Sequence, residues 1–211
     1  MPSPLPPALP PLPAPGARAR LRTPRLQLVG DGGAALAEAV HAYQRRNRAH
    51  FRPWDPPLPD SFHTLDGQAE RVRQAALAFH AGSAWRWWLC PTESDPDNQP
   101  RVIGSIHFSQ CTRGAFQNAL LGYALDEAHV GLGLMTEALR AGIAEMFSPR
   151  VNLHRIQAAY RPENTRSAAV LARLGFEFEG LAREYLYIDG AWRDHRIVAL
   201  RNPAFKPPAH W

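Results

Sequence analysis

The stretch Val130-Gly131-Leu132-Gly133-Leu134-Met135-Thr136-Glu137-Ala138-Leu139 constrains this chain most. It lies between an apolar, strand-like run at Leu120 to Leu125 and a helix that must end before Pro149. A second strand-like run, Arg155–Tyr160, follows that helix. Strand, helix and strand within residues 118–160 dictate a parallel pair joined by a right-handed crossover. Two glycines at the mouth of the helix also leave the N–H groups of its first turn uncovered by side chains. Those donors, with the positive end of the helix dipole, form a seat for a diphosphate. The same Gly-x-Gly serves equally in ordinary strand-to-helix turns. Thr136 stands where a Rossmann fingerprint needs its third glycine, and no Gly-Lys-Ser/Thr makes a P-loop, so those two nucleotide sites are set aside.

Around this crossover the chain supplies more strands. Leu21–Val29 alternates apolar and polar residues at Leu26 and Leu28, and Pro24 suits an edge strand. Asp31 is expected to cap a helix with the stripe Leu36, Ala39, Val40 and Tyr43, ending near Asn47. Asn47 to Trp54 and the prolines after it read as a loop carrying large aromatics. Asp60 or Ser61 is expected to open a second helix, closed by Gly82. Trp85–Cys90, Val102–Cys111 and Asn118–Leu125 read as three antiparallel strands, with a polar turn region at Pro91–Pro100. After the central helix come Arg155–Tyr160, a helix at Asn164–Leu174, and strands Phe176–Leu186 and Trp192–Leu200 joined across Asp189-Gly190, a tight-turn dipeptide. The expectation is an α/β fold with a mixed sheet of seven strands and about four helices.

At 211 residues the chain suits one domain with a full core. Eight prolines between Pro2 and Pro15 favour extended polyproline, so residues 1–17 read as a disordered tail. Residues 18–205 form the domain and 206–211 a C-terminal tail. The net charge of +5 favours anionic partners without choosing among them. Cys90 and Cys111 lack CxxC spacing and the nine histidines are scattered, so no metal site is expected. No window approaches the ~18 apolar residues of a membrane span, and the N-terminus lacks a signal-peptide layout, which points to a cytoplasmic protein without a membrane partner. No stripe of alternating aromatic and basic residues suggests direct, specific nucleic-acid recognition.

With this order in view the chain resembles the GNAT superfamily of acetyl-CoA-dependent N-acetyltransferases. More narrowly it is similar to the ribosomal-protein alanine N-acetyltransferases of the RimJ type. The resemblance rests on Leu21-Arg-Thr-Pro-Arg-Leu26, Asn47-Arg48 through Pro53-Trp54, Leu121-Gly122-Tyr123, and the glycine loop with Glu137-Ala138-Leu139. Further along it rests on His154-Arg155-Ile156, Pro162-Glu163-Asn164, Arg166-Ser167, Leu171 to Phe176 with Glu179-Gly180, and Tyr185-Leu186 through His195. It implies that acetyl-CoA is a cosubstrate whose pyrophosphate is held by backbone amides of Val130, Gly131, Leu132, Gly133, Leu134, Met135 and Thr136. The parallel strands should splay, with amides near Tyr123, Ala124 and Leu125 binding the pantetheine arm. Asn164 would bond the cofactor and Ser167 would give the leaving thiolate its proton. Val130 departs from the family, which opens this loop with Gln or Arg.

Transfer from a thioester to an amine needs a neutral amine, a polarised carbonyl and a proton for the thiolate. An α-amine, with a pKa of about 7.7–8.0 against about 10.4 for lysine, is far easier to deprotonate at neutral pH. Glu184 is the candidate base, and an outward-facing strand carboxylate is its plain alternative. Asn164 can equally serve as an N-cap and Ser167 as an exposed first-turn serine. Arg173 reaches either a cofactor phosphate or solvent. Asn47, Trp54, Tyr123, Tyr185, Tyr187 and Asp194 are the acceptor-side candidates, with core packing or a surface ion pair as their alternatives. No His/Cys or Ser/His/Asp set suggests an acyl-enzyme, which leaves direct transfer in a ternary complex. The leading expectation is acetylation of a protein N-terminus, that of a ribosomal protein, by a monomer or homodimer that associates with the ribosome. Acetylation of a small amine, or a non-catalytic acyl-CoA-binding module on the ribosome or RNA, are the alternatives.

Overall fold

The computed structural model of the protein describes residues 16–92 and 100–208. Most of the proline tract, the core of the Pro91–Pro100 region and the last three residues therefore lie outside the described part. Eight strands form one sheet: β1 (Arg20–Arg22), β2 (Leu26–Val29), β3 (Trp85–Pro91), β4 (Gly104–Thr112), β5 (Asn118–Leu125), β6 (Arg155–Tyr160), β7 (Glu177–Ile188) and β8 (Ala191–Arg201). The described residues form five α-helices: α1 (Ala34–Arg46), α2 (Arg48–Phe51), α3 (Leu65–Ala81), α4 (Leu134–Phe147) and α5 (Thr165–Arg173). The strand order is β1-β2-β3-β4-β5-β6-β8-β7. Pairing is antiparallel throughout except at β5–β6, the pair the crossover requires.

Several sequence expectations shift in detail. The run Leu21–Val29 is two strands, because Pro24 has no N–H for a ladder and the chain reverses at Thr23–Arg25; β1 and β2 then pair with each other. That makes eight strands rather than seven. Asp31 does not cap α1: the N-cap is Gly33, and the Asp31 carboxylate faces the Arg20 guanidinium at 3.2 Å. Asp60 and Ser61 fall in a 3₁₀ turn, and Thr64 caps α3 by accepting the Gly67 N–H at 3.1 Å. Part of the supposed loop Asn47–Trp54 coils into α2. The Asp189-Gly190 turn forms as expected, with both residues at positive φ (48° and 75°). Beyond β8, Lys206 is still held: its N–H and C=O bond the Asn152 side-chain amide.

Two apolar layers flank the sheet. Along β3 the successive residues Trp87 and Trp88 point to opposite faces. Trp85, Trp87, Ile106, Phe108 and Leu121 pack with Ala138, Leu139, Ile143 and Met146 of α4. Gly142 lets α4 approach closely, since a Cβ there would lie 2.5 Å from Ile106 Cδ1. On the other face Trp88, Cys90 and Val102 pack with Leu36, Val40 and Tyr43 of α1 and Val72 of α3. No helix of the described residues is long and apolar enough to cross a membrane.

Candidate active site

The glycine loop is built by left-handed backbone. Gly131 (φ +86°) and Gly133 (φ +76°) turn the chain from a 3₁₀ turn at Glu127–His129 into α4. No side chain caps that helix, and the first helical N–H to find a carbonyl behind it is that of Glu137, on Gly133 O at 3.1 Å. A Cβ on Gly131 would meet nothing within 4 Å, so the cradle stands open. The β1–β2 turn clamps it from below. The Thr23 hydroxyl and the Arg25 N–H donate to Glu137 Oε1 at 2.6 and 2.9 Å, and Arg25 Nε donates to Oε2 at 2.7 Å. Arg25 Nη1 donates to Leu132 O at 2.9 Å. Burial alone would raise the Glu137 carboxyl, but these hydrogen bonds and the guanidinium hold it below its ordinary range. Leu134, Met135 and Thr136 have buried side chains, which leaves their backbone N–H groups as what they can offer a ligand.

Next to this cradle β5 and β6 part. Their pairing runs from Asn118↔Arg155 to Leu121↔Ala158 and stops. Gly122–Leu125 stay paired with β4, while Ala159 and Tyr160 stay paired with β8, so the facing edges open into a cleft. Across it the Tyr123 phenol oxygen lies 2.7 Å from Ser167 Oγ. Burial, opposed by the Ser167 hydrogen bond, pushes the Tyr123 phenol up to about 12, so it is a neutral donor at physiological pH. Asn164 caps α5, its Oδ1 accepting the Ser167 N–H at 3.0 Å. The cap aims the first turn of α5, and with it Ser167, at Tyr123.

The acceptor-side candidates separate. Asn47 is buried and fully engaged: its amide donates to Tyr43 O and Asp126 Oδ2 and accepts the Glu127 N–H at 2.9 Å. Arg46 Nε donates to Asp126 Oδ2 at 2.5 Å, so α1 is tied to the end of β5. Burial would raise Asp126, but Asn47, Arg46 and the Ala128 N–H hold it at about 2. Trp54 is half-open, with the Arg161 guanidinium 5.3 Å from its ring centroid; Arg161 also donates to Pro53 O at 2.7 Å. Residues 47–55 thus span the cleft mouth, from the end of β5 to the residue after β6. Arg52 reaches the β7–β8 turn, 3.9 Å from Asp189.

Glu184 sits on a bulge of β7 with φ 47°, exposed, its N–H bonded to Asp194 Oδ1 at 2.8 Å. Asp194 is therefore a bulge anchor rather than an ion-pair partner of Arg193 or Arg196. Tyr185 packs on the His195 ring and Tyr187 on Trp192, both outside the two core layers. Arg173 is exposed at the end of α5. The structure thus brings together the loop, Tyr123, Asn164 and Ser167, and leaves Glu184, Tyr187 and Arg173 outward. Sequence reasoning missed Asp126, Arg161 and the Arg25–Glu137 clamp. An Asp immediately after an apolar strand and before a short turn was the available signal for Asp126.

Among the described residues no group of three or more His, Cys, Asp or Glu converges to hold a metal ion. A family profile described as an acetyltransferase (GNAT) domain matches residues 25–177. The chain is 41% identical over 193 residues to the [ribosomal protein uS5]-alanine N-acetyltransferase of Escherichia coli (strain K12), covering 90% of this chain and 94% of that one. The crystal structure of the ribosomal-protein-S5-alanine acetyltransferase from Vibrio fischeri superposes with a TM-score of 0.81 at 35% identity, over 90% of this chain and all of that one. Mycobacterium smegmatis RimJ in complex with CoA-disulfide gives a TM-score of 0.73 at 31% identity, over 83% and 81% of the two chains.

Proposed function

The chain belongs to the GNAT family of acetyltransferases, and from that premise we propose that it moves acetyl from acetyl-CoA to the N-terminal α-amine of a ribosomal protein, with residues 18–205 as its catalytic domain. The observation that carries the reading is the cleft: an unpaired β5 edge beside a bare helix entrance, with the Tyr123–Ser167 pair across it. The site fits the group. The open cradle at Gly131 and the free N–H groups before Glu137 suit a pyrophosphate, and the Gly122–Leu125 edge suits an extended amide-bearing arm. Acetyl-CoA, when bound, supplies an acyl group on a thiol leaving group.

The residues of the chain do the rest. The α4 entrance fixes the phosphates and the β5 edge sets the depth and direction of the arm. As the amine nitrogen bonds the thioester carbonyl carbon and the C–S bond breaks, Ser167, hydrogen-bonded to Tyr123, would give a proton to the departing sulfur. The phenol would replace it through the same hydrogen bond and recover a proton from solvent, which takes up the one the amine releases. An α-amine loses its proton readily enough to need only a modest acceptor, so no strongly basic side chain is required. The relatives whose names specify ribosomal-protein alanine acetylation support the acceptor, and residues 47–55, tied to the end of β5 and to Arg161, border the side from which it would approach.

The test is acetyl transfer from labelled acetyl-CoA to peptides beginning in Ala or Ser, with mass spectrometry of ribosomal-protein N-termini in cells lacking the protein. Peptide acetylation and an unmodified ribosomal N-terminus are expected. Transfer to free small amines with none to peptides would overturn the acceptor assignment.

A further inference from the structure

On the face of the sheet opposite α4, one cross-strand row joins Arg86 of β3, His107 of β4 and Gly122 of β5. Gly122 is the first residue at which β5 leaves β6. The His107 ring lies over it so closely that a Cβ at Gly122 would sit 2.2 Å from His107 Cε1. The row therefore starts at the apex of the cleft. It runs outward to a pair of guanidiniums stacked on one indole: Arg86 and Arg71 each have Cζ 5.4 Å from the Trp88 ring centroid. Arg71 also lies 4.7 Å from the Phe62 ring. Phe62 and Asp55 line a cavity of about 350 Å³ together with Phe51, Leu58 and Gly190. The row thus joins the cleft apex to the arginine pair, and Arg71 covers Phe62, a residue of the cavity wall.

The polar groups of this row and pair are poorly satisfied. A guanidinium carries five N–H donors. Among the described residues Arg86 makes one long hydrogen bond, to Ser105 Oγ at 3.5 Å, and Arg71 one, to Gln68 Oε1 at 3.4 Å. His107 Nδ1 and the Tyr43 hydroxyl are buried without a partner among the described residues. Asp55 faces Arg71, its carboxyl raised to about 6 by burial and opposed by that guanidinium, and the Asp126 carboxylate is already bonded to Arg46. Among the described residues no carboxylate acts on Arg86. Burial, with Arg71 beside it, lowers Arg86 to about 9, still a cation at neutral pH, and the same burial and arginines keep His107 neutral.

We propose that Arg71 and Arg86 form a subsite for a carboxylate side chain of the acceptor, bound behind its reacting amine. This rests on the reading of the protein as an α-amine acetyltransferase. Strands lie about 4.8 Å apart, so Arg86 is roughly 10 Å from the cleft apex, and an extended chain advancing about 3.3 Å per residue covers that in about three residues. The carboxylate belongs to the second, third or fourth residue of the acceptor.

The experiment is calorimetric titration of the CoA-saturated protein with decapeptides that begin in Ala and carry Glu, Gln or Lys at position 2, 3 or 4. A Glu peptide is expected to bind about tenfold more tightly than its Gln counterpart at one of these positions. The preference disappears in Arg71→Met/Arg86→Met and is reduced in Arg86→Lys, which retains a cation should the methionine variant fold poorly. Equal binding of Glu and Gln peptides at all three positions of the wild-type protein overturns the subsite, as does a preference for Lys. Turnover of the same peptides tests the α-amine reading separately: a Glu preference in binding without acetylation supports the subsite and refutes that reading.

Discussion

Ser167 and Tyr123 share one hydrogen bond, the proposed proton path, so each substitution removes a different part of it. Ser167→Ala deletes the group proposed to meet the sulfur and should lower kcat about 100-fold or more, with the KM for acetyl-CoA little changed. Tyr123→Phe leaves the serine in place and should cost less; steady-state kinetics on an Ala-starting peptide decide it, and an unchanged kcat in Ser167→Ala would remove the serine from the chemistry. Asp126 illustrates a different kind of residue, one that touches no proposed ligand yet positions two elements. Its carboxyl is held at about 2, below its ordinary value near 4. The stability it contributes is therefore fully present above about pH 4 and lost as pH falls toward 2. Asp126→Asn should cost about 2 kcal/mol at neutral pH, by weakening the Arg46 and Asn47 bonds, and should flatten that acidic limb. Urea midpoints measured from pH 2 to 7 for both proteins are the check, and parallel curves would show that Asp126 does not carry the effect.

At the level of elements, the β1–β2 turn and α4 act as one unit. Glu137 receives Thr23 and Arg25, and Arg25 in turn holds the Leu132 carbonyl, so the glycine loop is fixed from outside the helix it opens. Glu137→Gln keeps the shape and removes the charge that orients Arg25. Acetyl-CoA affinity should fall roughly fivefold to tenfold by calorimetry, consistent with loss of one charge-assisted contact. An unaltered affinity would mean that the loop holds its form without the clamp. The Thr-Pro-Arg run thus matters less as an edge strand, its apparent role in the linear chain, than as a brace. Elements with local signals were legible: Asn164 does cap α5, and Asp189-Gly190 does turn β7 into β8. Asp31 was misleading because a distant arginine, Arg20, draws its carboxylate away from the helix start.

For the molecule as a whole, stability depends on the central strands, whose neighbours lie on both faces. Trp87 is fully buried, edge-on to Phe79 and Phe108, with its indole N–H on Arg18 O at 3.1 Å. Trp87→Ala should cost about 4 kcal/mol, a large part of the roughly 5–15 kcal/mol of a domain this size. A urea titration showing a loss under about 1 kcal/mol would mean the core refills the space. The fold class, the parallel crossover, the bare helix entrance and the Asn164 cap were written in local patterns: periodicity, glycines at a helix mouth, an asparagine at a helix start. Such signals act within a few residues, and backbone stereochemistry reads them directly. The contacts around the cleft mouth and the proposed acceptor subsite were not legible. Asp126 with Asn47, Arg161 with Pro53, and the row of Gly122, His107, Arg86 and Arg71 each join residues far apart in sequence. Their neighbours are set by strand register and by where α1 and α3 land on the sheet, because a side chain's charge state and partners follow from burial and distance, which no stretch of chain carries by itself.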